Sequence, residues 1–293
     1  MTISGEKRHK QVSRIQIDNL VVDNHIPKIT KYSYPLLFIH GAGGTSEYLK
    51  NYLQFFSKAG WQSYAINLRG HHPSEQESTL AQMTIEDYVE DVERVMTDLS
   101  IENCVLIGHS MGGLIAQKIA AQFRSIKALI TIASAPPFGV PLEMHADLLH
   151  PETIMKSLWD IKSIWDMMNF APMATSAFMA EKTFLNNIDE TEREEIFSMF
   201  VAESLMVGYQ IAQGVFVDPA EIKCPKLVIG CKLDAMSPES MEQKLAEFLQ
   251  ADYISYEQFA HLPMLETGWE KSAKDIANWL KINVAGLARK QKG

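Results

Sequence analysis

Short apolar runs alternate with helical patterns along most of this 293-residue chain. The apolar runs have the length of buried strands, and several segments between them repeat apolar residues at helical spacing. Alternation of this kind is typical of βαβ units, so we predict an α/β fold with a mostly parallel sheet. The predicted strands are Leu36–Ile39, Ser63–Leu68, Cys104–Ile107, Ala128–Ala133, Lys226–Ile229 and Tyr253–Tyr256.

The predicted helices carry capping residues and apolar faces. Thr84 and Asp87 have the spacing of a capping box, and apolar residues recur at helical spacing from there to Leu99. The segment from Ile15 to Val22 alternates apolar and polar residues, which predicts an edge strand of a hairpin. Further helices are predicted over Leu114–Phe123, Met241–Leu249 and Ala273–Leu280.

The alternation stops between Pro136 and about Glu221, where no clear strand is present. We predict a core domain of residues 1–137 and 219–293, interrupted by a helical cap of residues 138–218. Roughly half of the 15 methionines fall in this cap, together with Trp and Phe at helical spacing. Most of these side chains are expected to pack between helices, and a minority to face a substrate. They are Trp159, Trp165, Met167, Met168, Phe170, Met173, Phe178 and Met179.

Composition narrows the choice of partners and compartment. The formal net charge is -9 and no basic stripe is present, so nucleic acid is not an expected partner. The N-terminus has no apolar run typical of a signal peptide, and no run is long enough to cross a bilayer. The cysteines Cys104, Cys224 and Cys231 are odd in number and do not have zinc-site spacing. We therefore expect a cytoplasmic protein with reduced thiols. We also expect a monomer or a homodimer.

The motif Gly108-His109-Ser110-Met111-Gly112 lies where a predicted strand ends and a predicted helix begins. A serine at such a tight turn projects above the sheet on a strained backbone. Small residues two positions before and after it are required because neighbouring backbone passes close. In this context the motif predicts that Ser110 is a nucleophile rather than part of an ordinary glycine-rich turn.

A second motif, His40-Gly41-Ala42-Gly43-Gly44, follows the predicted strand Leu36–Ile39. Its glycines allow the loop to fold back so that a backbone N–H points toward the serine. Acyl transfer requires such donors at the oxygen that gains charge. We predict that the backbone N–H groups of Ala42 and Met111 form an oxyanion hole, with Gly43 as an alternative to Ala42. The run lacks the Lys-Ser/Thr ending of a phosphate-binding P-loop.

A serine hydroxyl needs a base, and the base needs an acid to orient it. Among nine histidines, His261 lies after the last predicted strand and before the closing helix. Asp234 lies on the loop after the strand Lys226–Ile229, at the same predicted edge of the sheet. We predict His261 as the general base and Asp234 as its partner. Glu266 is expected to tether the His261 loop, while His40 and His109 are expected to fix loop geometry.

These motifs and the order Ser110, Asp234, His261 resemble the α/β-hydrolase fold superfamily, from about Leu36 to Trp279. The resemblance implies about eight strands flanked by helices, with a cap inserted after the strand Ala128–Ala133. The turn after the strand Ser63–Leu68 departs from the family pattern at His72-Pro73 and Asn67, away from the predicted triad.

The resemblance implies a serine hydrolase that cleaves an ester or thioester without a metal or organic cofactor. The long, apolar cap predicts a small to medium apolar substrate. Ser110 argues against the haloalkane dehalogenases and epoxide hydrolases of this family, which use an aspartate there. Carbon–carbon bond hydrolases and serine haloperoxidases share the triad, so both remain alternatives. A ligand-binding receptor of the same fold is a further alternative from a different class, and a lipase acting on oil droplets is less favoured.

Overall fold

The computed structural model describes residues 12–144, 148, 174–284 and 286–287. Within them, eight strands form a single sheet in the order β1-β2-β4-β3-β5-β6-β7-β8. The strands are β1 (Val12–Ile17), β2 (Leu20–His25), β3 (Leu36–Ile39), β4 (Ser63–Asn67), β5 (Cys104–His109), β6 (Ile126–Ile132), β7 (Lys226–Cys231) and β8 (Asp252–Tyr256). The described helices are α1 (Lys50–Ala59), α2 (Ile85–Asp98), α3 (Met111–Gln122), α4 (Ala177–Thr183), α5 (Arg193–Ser198), α6 (Leu205–Gln213), α7 (Glu239–Leu249) and α8 (Glu270–Asn283).

The sheet is parallel from β4 to β8, and the pairs β1–β2 and β2–β4 are antiparallel. Helices α2, α3 and α7 pack on one face of the sheet, and α1 and α8 pack on the other. Because both faces are covered, the central strands are apolar throughout rather than alternating, as their sequences indicate. The predicted mostly parallel α/β sheet of about eight strands is confirmed.

The carboxyl ends of β3, β5, β7 and β8 lie at the same edge of the sheet because these strands are parallel. The loops after these four strands carry the two glycine motifs, Asp234 and His261. In open parallel sheets this edge is where ligands bind. The topology therefore gathers the predicted site residues from positions far apart in the chain.

The predicted edge strand of a hairpin over Ile15–Val22 is confirmed in part: β1 lies at the sheet edge and pairs with β2 in a hairpin, but the predicted bounds are wrong. Residues Asp18 and Asn19 form a turn in the middle of that segment, and β1 and β2 pair on either side of it. Asp18 takes a left-handed conformation, with φ at +48°, which Asp tolerates better than most residues. The turn is only two residues long and has apolar residues on both sides, so the segment resembles a single strand in sequence.

The predicted capping box at Thr84 is confirmed. The Thr84 hydroxyl accepts from the Asp87 backbone N–H, and the Asp87 carboxylate accepts from the Thr84 N–H at 2.7 Å. The predicted helices at α3, α7 and α8 are also confirmed, with ends that differ by a few residues.

The described part of the predicted cap, residues 138–144, 148 and 174–218, contains α4, α5 and α6. Phe178 and Met179 lie in α4. The other cap residues singled out by sequence, from Trp159 to Met173, lie outside the described residues. The division into a core and a cap of residues 138–218 stays a prediction.

The three cysteines are free, with Cys104 and Cys231 buried. Among the described residues, no helix has the length and apolar character needed to span a membrane.

Candidate active site

Ser110 lies on a sharp turn between β5 and α3, with φ at +53° and ψ at -122°. A non-glycine residue in this region of backbone space costs about 1–3 kcal/mol and persists only where its surroundings fix it. Two hydrogen bonds fix it here: the Ser110 N–H donates to the Ile132 carbonyl at 3.0 Å, and the Ser110 carbonyl accepts from the Ala135 N–H at 3.0 Å. The turn is thereby tied to the neighbouring strand β6.

The glycines around Ser110 are required by close backbone approach. A Cβ at Gly108 would overlap the Gly112 carbonyl, and a Cβ at Gly112 would overlap the carbonyl oxygens of Ile39 and His40. The overlaps join β5, α3 and the loop after β3, so any side chain at either position would push these elements apart. The spacing of the motif therefore reflects packing at this turn.

His261 connects Ser110 to Asp234. Its Nε2 lies 3.1 Å from Ser110 Oγ, and its Nδ1 lies 2.8 Å from Asp234 Oδ2. The ionised carboxylate can only accept, so Nδ1 carries the proton and Nε2 is left to accept from the serine hydroxyl. Both His261 and Asp234 are buried. Ser110 lies 151 positions before His261 in the chain, and Asp234 lies 27 positions before it. The three residues thus form one continuous hydrogen-bonded row.

The second oxygen of Asp234 is held by the backbone. Asp234 Oδ1 accepts the N–H groups of Met236 at 2.8 Å and Ser237 at 2.9 Å. With Oδ1 occupied in this way, Oδ2 faces His261 in a fixed orientation. This arrangement explains why the acid is followed by a tight turn in the sequence.

The loop that carries His261 is fixed from both sides. Glu266 Oε2 accepts the Ala260 N–H at 2.8 Å, and Glu266 Oε1 accepts the Leu262 N–H at 3.1 Å. His109 Nε2 lies 2.7 Å from the His261 carbonyl oxygen and donates to it. Burial, with a smaller contribution from His261, lowers the pKa of His109 to about 3, so the ring is neutral at ordinary pH. Glu266 and His109 therefore orient the histidine without joining the row.

The backbone N–H groups in the loop after β3 and at the start of α3 differ in whether a protein group already accepts their hydrogen. Among the described residues, the N–H groups of Ala42 and Met111 donate to no other protein group. The Gly43 N–H donates to Glu203 Oε2 at 3.0 Å. The alternative prediction of Gly43 as an oxyanion donor is therefore wrong, because its hydrogen is engaged by a buried carboxylate. Met111 is also the first residue of α3, whose N-terminal end favours negative charge.

His40 holds the base of the same loop. Its Nδ1 donates to the Gly41 carbonyl at 2.8 Å and its Nε2 accepts the Leu68 N–H at 3.2 Å. Burial first, and then the nearby His71, lower the pKa of His40 to about 3. The neutral ring of His40 thus connects the loops after β3 and β4 through hydrogen bonds.

Aromatic side chains from the described cap residues lie beside this row. The ring of Phe184 is tilted against His261, with 5.2 Å between centroids, and Phe200 follows at 5.5 Å from Phe184. Phe200 also contacts Tyr48 edge to face at 5.2 Å. Phe184 and Phe200 are only partly buried. They give the site an apolar wall on the side of the histidine.

Neither Glu203 nor His71 was singled out by the sequence analysis. Glu203 Oε2 lies 3.0 Å from His71 Nε2, and both side chains are buried. Their separation of 132 positions leaves no local pattern that joins them. A single glutamate between two helices carries no sequence signal of this role.

Comparison with known proteins agrees with this architecture. A family model described as alpha/beta hydrolase fold matches residues 34–158. An esterase from Thermogutta terrifontis superimposes with a TM-score of 0.67 and 21% identity, covering 94% of this chain and 100% of that chain. An esterase from Exiguobacterium antarcticum superimposes with a TM-score of 0.68 and 19% identity, covering 92% and 99%. The chain therefore has the α/β-hydrolase fold.

Relatives by sequence carry different names. A proline iminopeptidase of Flavobacterium johnsoniae is 26% identical over 78% of this chain and 84% of its own length. Protein ABHD8 of Mus musculus is 27% identical over 79% of this chain, and the match spans about half, 52%, of that protein. The predicted α/β-hydrolase fold is thus confirmed, while these names leave the scissile bond open.

Proposed function

We propose that this protein is a serine hydrolase that cleaves carboxylic esters through an acyl-enzyme. The observation that carries the proposal is the hydrogen-bonded row from Ser110 through His261 to Asp234, beside two N–H groups without a protein acceptor among the described residues. A nucleophile, an oriented base and free donors together are what acyl transfer requires.

Each residue has a defined role in the proposed reaction. Ser110 Oγ attacks the ester carbonyl carbon while His261 Nε2 takes the hydroxyl proton. The N–H groups of Ala42 and Met111 donate to the oxyanion that forms, and losing one such donor typically costs about 2.7–4 kcal/mol of barrier. His261 then gives the proton to the departing alkoxide, which leaves as an alcohol. A water molecule, deprotonated by His261, releases the acid and restores Ser110.

Asp234 acts on His261 rather than on the substrate. Its carboxylate holds the Nδ1–H tautomer at 2.8 Å and stabilises the imidazolium that forms when Nε2 takes the proton. No step of this reaction requires a metal or an organic cofactor.

The aromatic wall favours an apolar substrate of small to medium size. Phe184 contacts His261, so a group bound next to the leaving oxygen meets an aromatic face. Aromatic and apolar groups buried there gain roughly 25 cal/mol per Å² removed from water. We further propose that residues 138–218 form a cap that supplies this wall to a core of residues 1–137 and 219–293.

Cleavage of an N-terminal proline is the second candidate, because a proline iminopeptidase is among the relatives. Such a substrate carries an ammonium group that needs a carboxylate partner. The described carboxylates around the site are already engaged: Asp234, Glu203 and Glu266 each accept at least three hydrogen bonds from the protein. This favours the ester over the peptide.

The test is a substrate panel with the wild type and Ser110→Ala. The panel contains p-nitrophenyl esters from acetate to long acyl chains, an S-acyl thioester, a β-diketone and proline p-nitroanilide. We expect wild-type turnover of medium apolar esters and a loss of about three or more orders of magnitude in Ser110→Ala.

Other outcomes would point elsewhere. Turnover of proline p-nitroanilide above the esters would favour the peptidase, and cleavage of the diketone alone would favour carbon–carbon hydrolysis. Equal, slow rates for both folded proteins on every substrate would reject hydrolysis and favour the receptor.

A further inference from the structure

Residues 201–203, a short segment that follows α5, form hydrogen bonds with the backbone of Gly43 in the loop after β3. The Val201 N–H donates to the Gly43 carbonyl at 2.9 Å, and the Gly43 N–H donates to Glu203 Oε2 at 3.0 Å. Gly43 thus has both backbone polar groups bound by a segment 160 positions away. Gly43 also takes φ at +63°, a conformation that side chains rarely adopt.

The Glu203 carboxylate is surrounded by donors on both oxygens. Oε2 accepts from the Gly43 N–H and from His71 Nε2, each at 3.0 Å. Oε1 accepts from the Tyr88 hydroxyl and the Ser204 N–H, each at 2.7 Å. Among side chains, only a carboxylate has two terminal oxygens that both accept hydrogen bonds. The four donors therefore match the charge of Glu203 as well as its shape.

The counter-charge is His71. Its Nδ1 lies 3.0 Å from the Arg69 carbonyl oxygen, which can only accept, and its Nε2 faces the carboxylate. Both ring nitrogens therefore donate, and the ring is an imidazolium. Burial opposes this charge, but the nearby Glu203 outweighs burial and raises the pKa of His71. Burial likewise opposes ionisation of Glu203, yet His71 and the hydrogen bonds lower its pKa to about 2.

Gly43, which this segment binds, directly follows Ala42, the proposed oxyanion donor. The peptide that joins Ala42 to Gly43 is planar, so fixing Gly43 at both its N–H and its carbonyl restricts how Ala42 can rotate. Oxyanion donors act only where they are already aimed at the position the charge will take. A misplacement of about 1 Å in such a group can cost about 10²-fold in rate.

We propose that Glu203 is a positioning residue, which holds Gly43 so that the Ala42 N–H stays aimed at the oxyanion formed on the Ser110 adduct. Glu203 does not touch the reacting atoms and acts through Gly43 alone. The proposal rests on the proposed ester hydrolysis, and it adds that a segment of the predicted cap completes the oxyanion hole.

The primary variant is Glu203→Gln, which keeps the length of the side chain. Its amide nitrogen must face either the Gly43 N–H and His71, or the Ser204 N–H beside the Tyr88 hydroxyl, so in each orientation the NH₂ group meets a backbone N–H that cannot accept. We expect kcat on the best p-nitrophenyl ester to fall about 10–100-fold while KM changes by less than about threefold, because the lost interaction is made in the transition state.

Tyr88→Phe is the matched control. It removes one donor from Glu203 Oε1 and leaves the Gly43 hydrogen bond in place. We expect a lower melting temperature with kcat within about threefold of the wild type.

A second variant approaches the same contact from the loop. In Gly43→Ala the new Cβ would lie 2.9 Å from the Val201 carbonyl oxygen, and we expect kcat to fall as in Glu203→Gln. Gly268→Ala is its control, because Gly268 also has a positive φ, +86°, but a Cβ there meets nothing within 4 Å. This second pair decides the question if Glu203→Gln does not fold.

Inhibition by an alkyl trifluoromethyl ketone reports the oxyanion hole directly, since its adduct with a serine carries an oxygen at that position. The inhibition constant should rise in Glu203→Gln by the same factor by which kcat/KM falls. A folded Glu203→Gln with wild-type kcat and inhibition, or a Tyr88→Phe that loses as much kcat as Glu203→Gln, would overturn the proposal. Absence of any wild-type turnover would instead reject the proposed function.

Discussion

Substitution of Asp234 by asparagine tests how the acid controls the histidine. Asp234 Oδ1 accepts two backbone N–H groups, and Oδ2 accepts from His261 Nδ1. In Asp234→Asn the amide oxygen stays on the two backbone donors, so the amide nitrogen faces Nδ1. That nitrogen can only donate, which forces the proton of His261 onto Nε2. Nε2 then cannot accept the Ser110 proton.

The size of the loss follows from the cost of reversing this arrangement. Turning the amide by 180° restores the correct tautomer but places an NH₂ group against two buried backbone N–H groups. Each unmade hydrogen bond costs about 1–3 kcal/mol, so the productive state lies roughly 2–6 kcal/mol higher. At about 1.4 kcal/mol per decade, we expect kcat to fall by about 30-fold to about 10⁴-fold.

The assay is steady-state hydrolysis of the best p-nitrophenyl ester, with the melting temperature recorded for each protein. Asp252→Asn is the control, because Asp252 also accepts a ring N–H, from Trp279 at 2.6 Å, but lies at the far end of β8 from His261. We expect Asp252→Asn to keep kcat within about threefold. A folded Asp234→Asn that keeps more than about a tenth of the wild-type kcat would refute the tautomer argument.

Three further predictions address packing, the substrate and acid stability. Gly108→Ala should lower the free energy of unfolding by about 1–3 kcal/mol or more in urea titration, since its Cβ overlaps the Gly112 carbonyl; an unchanged midpoint would contradict the packing argument. Phe184→Ala should lower kcat/KM for aromatic and medium acyl esters by about 10-fold or more while sparing the acetate; uniform loss would reject the wall. The pKa of Glu203 is lowered from 4.5 to about 2 in the folded protein, so its contribution to stability is present above about pH 4.5 and is lost as pH falls toward 2. The difference in free energy of unfolding between wild type and Glu203→Gln should therefore narrow over that range. A constant difference would contradict the ion pair.

Most of the sheet could be predicted because its signals are local. Continuous apolar runs bounded by glycine and proline marked six of the eight described strands, and Thr84 marked the start of α2. The hairpin of β1 and β2 was misread because its turn is only two residues long, Asp18 and Asn19, with apolar residues on both sides. Alternation gives the period of a strand but not the point at which the chain reverses.

The candidate triad was also within reach of sequence, for a topological reason. Ser110, Asp234 and His261 each follow a strand, and parallel strands bring their carboxyl ends to one edge. Glu203 could not be found in this way, because its partners depend on how a helical segment lies over the sheet. The choice between Ala42 and Gly43 as the proposed oxyanion donor was open for the same reason, since the hydrogen bond that engages the Gly43 N–H comes from Glu203.

The central claim is that Ser110 forms the covalent intermediate, and labelling tests it most directly. Wild type and Ser110→Ala are incubated with a fluorophosphonate, and the adduct is located by mass spectrometry of peptides. The account predicts one adduct per wild-type chain, on the peptide that contains Ser110, and none in Ser110→Ala. A folded wild type that stays unlabelled, or an adduct that forms equally in Ser110→Ala, would contradict it.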